Sequence, residues 1–219
     1  MEFIHKPVEF EKITRVDEPN YRYYKRDNGQ KPRSITTILG KTKPEYSKKI
    51  LEKWKEDEGE AAYHITELSK IYGTKTHEAI ETTLQNKIPS LTSKIVQLHY
   101  NQLFPYLKCI NNIKGIELLL FSEKYNVAGT ADCIAEYNGI LSIIDYKTKR
   151  KPQKEEWMGD YFLQATAYSI MFKELTGIPV PQIVILVSEE GGTTQEFIKD
   201  SNSYKESLIS RINTYYETY

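Results

Sequence analysis

The dipeptide Asn138-Gly139 stands between two short apolar runs, "GTADCIAEY" and "ILSIIDYK". Asn-Gly is the preferred filling of a two-residue hairpin turn, because both turn positions take a positive φ that these residues tolerate. A hairpin closed there leaves little freedom of register. Antiparallel partners then have residue numbers adding to about 277, which sets Asp132 across from Asp145. Alternate strand residues share a face, so Lys147 projects beside Asp145. Taken alone, Asp-x-Lys is also what a strand running out into solvent with a surface ion pair would show. Two carboxylates facing each other in a sheet are destabilising, however, and such a pair calls for a cation. With a lysine alongside, it offers oxygen ligands for a hard divalent metal and a group that stabilises charge or handles a proton.

The hydrophobic pattern changes period along the chain. Residues 1–45 are mixed and polar, with a turn signal at "RDNGQKP". Residues 46–113 read as helices: Ile50, Leu51, Trp54, Ala61, Ile65 and Leu68 recur at helical spacing, Gly73 punctuates, "TKTHEAIETTLQ" resumes a helix, and Pro105 should kink or break the last one. From Gly115 onward three strands follow in succession. A helix ending at Gly177, a strand "PQIVILVSE", a further candidate strand "GGTTQEFIKD" and a C-terminal helix complete the chain. The expected fold is α+β: one domain over 1–219, with a mostly helical portion to residue 113 and a small mixed sheet with flanking helices over 114–219.

The totals narrow the class. Lysine plus arginine and aspartate plus glutamate balance at 30 each in 219 residues, so any polyanion-binding surface must be local. Cys109 and Cys133 have no metal-ligand spacing and form no disulfide framework, which fits a reducing intracellular, cytoplasmic setting. The N-terminus lacks the layout of a signal peptide and no apolar run approaches membrane length.

Two helical motifs add chemistry. Gln164 and Tyr168 in "QATAY" are four apart and share a face of the helix after the Asp-x-Lys strand. His77 in "GTKTHEAIE" supplies an imidazole, a common partner of carboxylates around a metal, although a single helical histidine is also an ordinary surface or core residue.

A "GTxD" strand, a "DxK" strand and a "QxxxY" helix, preceded by a "GTxxH" helix, resemble the RecB-type branch of the PD-(D/E)xK nuclease superfamily. "SITTILGKT" resembles the "PSVTTIL" opening of exonucleases in that branch, with Arg33 inserted between proline and serine. The resemblance spans about residues 20 to 190. It implies a restriction-endonuclease-like core in which His77, Asp132, Asp145 and the Tyr146 carbonyl hold Mg²⁺ or Mn²⁺. Lys147 would orient the attacking water and stabilise the developing charge, and Gln164 and Tyr168 would position the site or the strand. Glu123 is a further acidic candidate. Four cysteines would be needed for the iron–sulfur cluster of one RecB-type subgroup, and the chain has two.

DNA, expected as a single strand, finds local basic surfaces. "KTKRKPQK" holds Thr148, Lys149 and Arg150 and contains no acid. "KTKPEYSKKILEKWK" carries Lys48 and Lys49, and "YRYYKR" interleaves tyrosines with cations, the equipment for gripping unpaired bases. The resemblance also implies phosphate contacts from Ser34, Thr36 and Thr37, read as hydroxyls in a loop before a helix. The expected activity is a metal-dependent DNA exonuclease. A double-strand-specific exonuclease, a structure-specific endonuclease on the same core and a non-catalytic nucleic-acid-binding module are the alternatives.

Overall fold

The structure is a computed structural model that describes residues 2–17, 22–91 and 93–219; Tyr21 of the "YRYYKR" segment lies outside them. Strands β1 (Thr14–Asp17) and β2 (Arg22–Lys25) form a ribbon, and β3 (Arg33–Ser34) leads directly into α1 (Ile35–Lys41). Three helices follow: α2 (Glu45–Glu58), α3 (Ala61–Leu84) and α4 (Lys94–Leu107). Then come β4 (Ile110–Ser122), β5 (Val127–Tyr137) and β6 (Ile140–Lys149). A 3-10 turn (Glu155–Trp157), α5 (Gly159–Thr176), β7 (Gln182–Glu189), β8 (Thr194–Asp200) and α6 (Lys205–Thr218) complete the order.

The β5–β6 hairpin turns at Asn138 (φ 51°) and Gly139 (φ 82°), and Tyr137↔Ile140 closes it. Its partners run back to Cys133↔Ile144, the register expected from the turn. β6 continues through α5 to β7, which pairs parallel to it. Gly177, left-handed at φ 75°, ends α5 by donating its N–H to the Lys173 carbonyl. β8 closes the far edge antiparallel to β7.

Adjacent residues on β6 and β7 point into two different cores, as the two-residue strand period requires. Ile143, Ile183, Ile185 and Val187 pack with Ile38, Phe162, Met171 and Leu208 from α1, α5 and α6. Ile144, Val184 and Leu186 pack with Ile80, Leu84, Leu103 and Leu107 from α3 and α4. The sheet therefore has a helical layer on each face, the usual setting of a parallel pair buried on both sides.

One edge of β5 is shared by two strands. β3 pairs parallel with its start, through Arg33↔Val127 and Ser34↔Ala128. β6 pairs antiparallel with its end, from Cys133 onward. Between them the edge over Gly129–Asp132 has no strand partner on that side among the described residues, while β4 covers the other edge.

The helical half differs from expectation in four places. Gly73 lies inside an unbroken α3; a Cβ there would sit 3.4 Å from Thr148 Oγ1, so the glycine lets the helix lie close to β6. The strand begins at Ile110, five residues before Gly115, and α4 ends at Leu107, two residues past Pro105. Residues 35–41 are helical despite their β-branched content, so Thr36 and Thr37 occupy the first turn of α1 and Ser34 its N-cap. Finally, α2 buries none of its residues: Ile50 is 60% and Leu51 43% exposed, so the apolar spacing there does not mark a core face.

The turn sets the register, so it should be sensitive to side-chain branching. Gly139→Val forces a β-branched residue into the left-handed region and should cost about 1–2 kcal/mol in urea unfolding. Ile140→Thr, a neighbouring control on the exposed strand face, should cost less.

Candidate active site

Hydrogen-bonded and non-hydrogen-bonded pairs alternate along an antiparallel ladder. Counting from Tyr137↔Ile140, the Tyr146 N–H should donate to the Ala131 carbonyl. It donates instead to the Asp132 carboxylate, at 3.1 Å. The ladder stops one pair short of the two aspartates, and a side chain takes up the N–H that the separating strands leave free. Asp132 and Asp145 thus lie on strands that are parting company.

Asp145 is buried, and Lys147 Nζ lies 2.6 Å from its Oδ2. Burial pushes the Asp145 carboxyl up from 3.8 to about 6, with Lys147 pulling it down and Asp132 pushing it further up. Burial opposes the Lys147 charge, but Asp145 and Asp132 outweigh it and hold the ammonium above its ordinary range. Asp145 Oδ2 is buried, and the Lys147 ammonium is its close partner.

Glu117 joins this group, and the sequence reading missed it. It lies between Ile116↔Cys133 and Leu118↔Ala131, opposite Asp132 across β4 and β5, with a left-handed backbone at φ 48°. Burial, then Asp132, raises its carboxyl above the usual range. His77 arrives from α3 on the other side. Its Nδ1 is 3.3 Å from Asp132 Oδ2 and its Nε2 is 2.7 Å from the Tyr146 carbonyl. Ligating atoms of His77, Glu117 and Asp132 lie within 4.8 Å of one another.

α5 contributes Gln164 and Tyr168. Gln164 Nε2 donates to the Tyr168 hydroxyl at 3.0 Å, and burial raises the phenol well above its ordinary range. Tyr168 lies against the open edge of β5: a Cβ on Gly129 would come within 2.5 Å of its Cε1. The glycine of "GTAD" is therefore required by the ring. Tyr24 of β2 reaches the same edge, with its hydroxyl 3.1 Å from Thr130 Oγ1.

A cleft of about 420 Å³ opens over this edge. His77 from α3, Gln164 and Tyr168 from α5, and Glu117, Thr130 and Asp132 from the sheet all line it. Ser34 and Thr36 line it as well, 2.8 Å apart through their hydroxyl oxygens. So does Arg15, which the sequence did not single out; its guanidinium also pairs with Asp17 at 2.9 Å.

Other candidates fall elsewhere. Thr37 is exposed and outside the lining. Lys48 and Lys49 stand on α2, also outside it, and Lys48 pairs with Glu45 at 3.2 Å. Thr148 and Lys149 belong to the end of β6 rather than to a loop after it, and exposed Arg150 follows. Lys149 Nζ contacts the Tyr161 hydroxyl at 2.5 Å. Glu123 is turned away: it pairs with Arg26 at 3.4 Å and lines a separate cavity with Phe121 and Asn126. Glu117 takes the place in the cleft for which Glu123 was considered.

The donor set suits a hard divalent cation. It combines the Glu117 and Asp132 carboxylates and the His77 imidazole, with the Tyr146 carbonyl beside the imidazole and the Asp145 carboxylate buried against Lys147.

The fold is a mixed sheet whose strands part beside a cluster of acids and a buried lysine. A profile of the PD-(D/E)XK nuclease superfamily matches residues 36–216, and the chain belongs to that superfamily. It is 30% identical over 128 residues to Mitochondrial genome maintenance exonuclease 1 of Homo sapiens, covering 55% of this chain and 37% of that protein. The Mus musculus protein of the same name is 32% identical over 130 residues, covering 55% and 38%. The chain thus spans well under half the length of these relatives. A solved structure from Eubacterium rectale aligns with a TM-score of 0.46 at 12% identity, over 66% of this chain and 63% of that one.

Two tests follow for the metal-free protein. The folded state holds the Asp145 proton more tightly than the unfolded state does. The Asp145 contribution to stability is therefore full below about pH 4 and is lost as pH rises through about 6. Asp145→Asn escapes that loss. Its stability relative to wild type, from urea unfolding in EDTA, should rise between pH 4 and pH 7 by up to about 3 kcal/mol. Lys147→Met leaves Asp145 buried without its cation and should cost about 3–5 kcal/mol at pH 7.5, most of it recovered in Asp145→Asn/Lys147→Met.

Proposed function

We propose that this chain is a metal-dependent deoxyribonuclease that works inward from DNA ends and favours single strands. One observation carries the reading. His77, Glu117, Asp132 and the Gln164–Tyr168 pair line one cleft at the point where β5 and β6 separate, and the buried Asp145–Lys147 ion pair lies behind that lining, in electrostatic reach of Asp132.

Asp132, Asp145, Glu117 and the Tyr146 carbonyl, with His77 beside them, would hold Mg²⁺ or Mn²⁺. The ion would supply Lewis-acid activation of the scissile phosphate and of water. Lys147 is kept charged by its acidic neighbours, so it acts as a hydrogen-bond donor and charge stabiliser rather than as a base. From its place 2.6 Å from Asp145 it can orient a water and offset the negative charge that grows on the phosphate. Gln164 anchors the Tyr168 hydroxyl, and the ring wedged at Gly129 fixes the wall against which the strand lies. Arg15, Ser34 and Thr36 provide donors for phosphates across the cleft. A preference for ends is supported by the exonuclease relatives.

Asp132→Ala and Asp145→Ala should abolish turnover while the protein remains folded. Mn²⁺ should support activity at least equal to that with Mg²⁺, since imidazole is the softer ligand, and Ca²⁺ alone should support none. His77→Ala should raise the metal concentration needed for half-maximal rate; an unchanged metal titration would make His77 structural. The decisive comparison is end-labelled linear single-stranded DNA against a covalently closed single-stranded circle, each with metal and with EDTA. The linear strand should be degraded and the circle should survive. Rapid cutting of the circle would move the assignment to an endonuclease, and equal products in EDTA would remove the metal.

A further inference from the structure

Trp157 is 52% exposed, at the mouth of α5 and beyond the cleft lining. Met158 joins the 3-10 turn to α5: Trp157 N–H donates to the Lys154 carbonyl, Met158 N–H to Glu155, and Tyr161 and Phe162 N–H both to Met158. Residues 161, 164 and 168 are spaced by three and four along α5, which sets them on one side of it, and Trp157 stands just before the helix at the end of the 3-10 turn. Two of them, Gln164 and Tyr168, are the motif already in the cleft. The stripe is graded in burial, from exposed Trp157 through half-buried Tyr161 and Gln164 to Tyr168 at 2%.

Cations border the stripe. Lys147 and Lys149 stand 5.0 and 4.8 Å from the centre of the Tyr161 ring, and Lys154 stands 5.3 Å from that of the Trp157 ring. Arg150 and Lys151 are exposed in the intervening loop. Two of the nearby acids are engaged: Glu155 pairs with Lys199 at 2.6 Å and Asp160 with Arg211 at 3.2 Å. Glu156 faces Lys154 at 3.9 Å. Alternating aromatic and cationic groups on an exposed face are what an unpaired nucleic-acid strand binds, with bases on the rings and phosphates on the cations. A duplex keeps its bases stacked on one another and offers the rings nothing.

We infer that Trp157 and Tyr161 form a base-stacking track for single-stranded DNA that leads along α5 to the Gln164–Tyr168 pair. It rests on the proposed DNA substrate and adds to it: the bound strand extends past the scissile phosphate toward Trp157, and at least one unpaired base stacks there. Tyr161, whose ring both Lys147 and Lys149 approach, is a positioning residue for Lys147. Trp157 belongs to binding alone.

The test measures Trp157 and Tyr161 variants in two ways. Binding of labelled oligo(dT) and of a blunt duplex of equal length is followed by fluorescence anisotropy at low salt in EDTA. Hydrolysis is followed with Mn²⁺. Trp157→Ala should weaken oligo(dT) binding on the order of tenfold, the size of one base–aromatic stack. Trp157→Phe should restore most of it, and the duplex should change less than twofold. In hydrolysis Trp157→Ala should raise KM with kcat kept, whereas Tyr161→Leu should lower kcat as well, and Tyr161→Phe should recover it. Equal oligo(dT) affinity in wild type and Trp157→Ala overturns the track, as does equal loss on oligo(dT) and duplex, or a wild type that does not hold oligo(dT). If wild type binds oligo(dT) in a Trp157-dependent manner yet hydrolyses nothing, the track stands and the nuclease reading falls.

Discussion

The Asp132 carboxylate accepts the Tyr146 N–H at 3.1 Å, where the Ala131 carbonyl would accept it in a continuous ladder. That substitution of side chain for backbone lets β5 and β6 separate without leaving a buried amide unpaired, a loss that would cost about 1–3 kcal/mol. With β3 holding the start of β5 and β6 its end, the sheet is open along the middle of β5. Residues from opposite layers meet through the opening. His77 comes from the α3–α4 side and touches the Tyr146 carbonyl, and Tyr168 comes from the α5 side and lies on Gly129.

The electrostatics follow from the same opening. Asp145 is placed where water is scarce, and its carboxylate is retained by Lys147 on the same strand face. The carboxyls of Asp145 and Glu117 are both raised, with burial as the leading cause and Asp132 raising each further.

What could be read from the sequence was whatever is local. Asn138-Gly139 fixes its hairpin by backbone preference, and the register brings Asp132 toward Asp145 by counting. Gln164 and Tyr168 share a face by helical spacing. Glu117 required a second count across a less emphatic turn, at Glu123–Asn126, where partners such as Leu118↔Ala131 have numbers adding to 249; that count pairs Glu117 with Asp132. Glu123 looked equally acidic, but its distance from the cleft depends on Arg26, a partner 97 residues earlier in "KRDNGQ". The apolar spacing of α2 was real yet misleading, because whether Ile50 and Leu51 are covered depends on tertiary placement and not on period. α1 was overlooked because Ile35, Thr36, Thr37 and Ile38 are β-branched, and packing of Ile35, Ile38 and Leu39 into the core overrides that preference.

The split edge of β5 also orders events in time. The hairpins of β4, β5 and β6 join residues close in sequence and can close early, since short loops cost little entropy. The cleft cannot. It needs Ser34 beside Ala128, His77 beside Tyr146 and Tyr168 beside Gly129, each a long closure. A chain emerging from its N-terminus carries every acid of the site before it carries Gln164 or Tyr168. Nascent fragments that stop short of α5 therefore hold the acids and the lysine without the wall that positions a strand against them, and competence arrives only when the last layer docks.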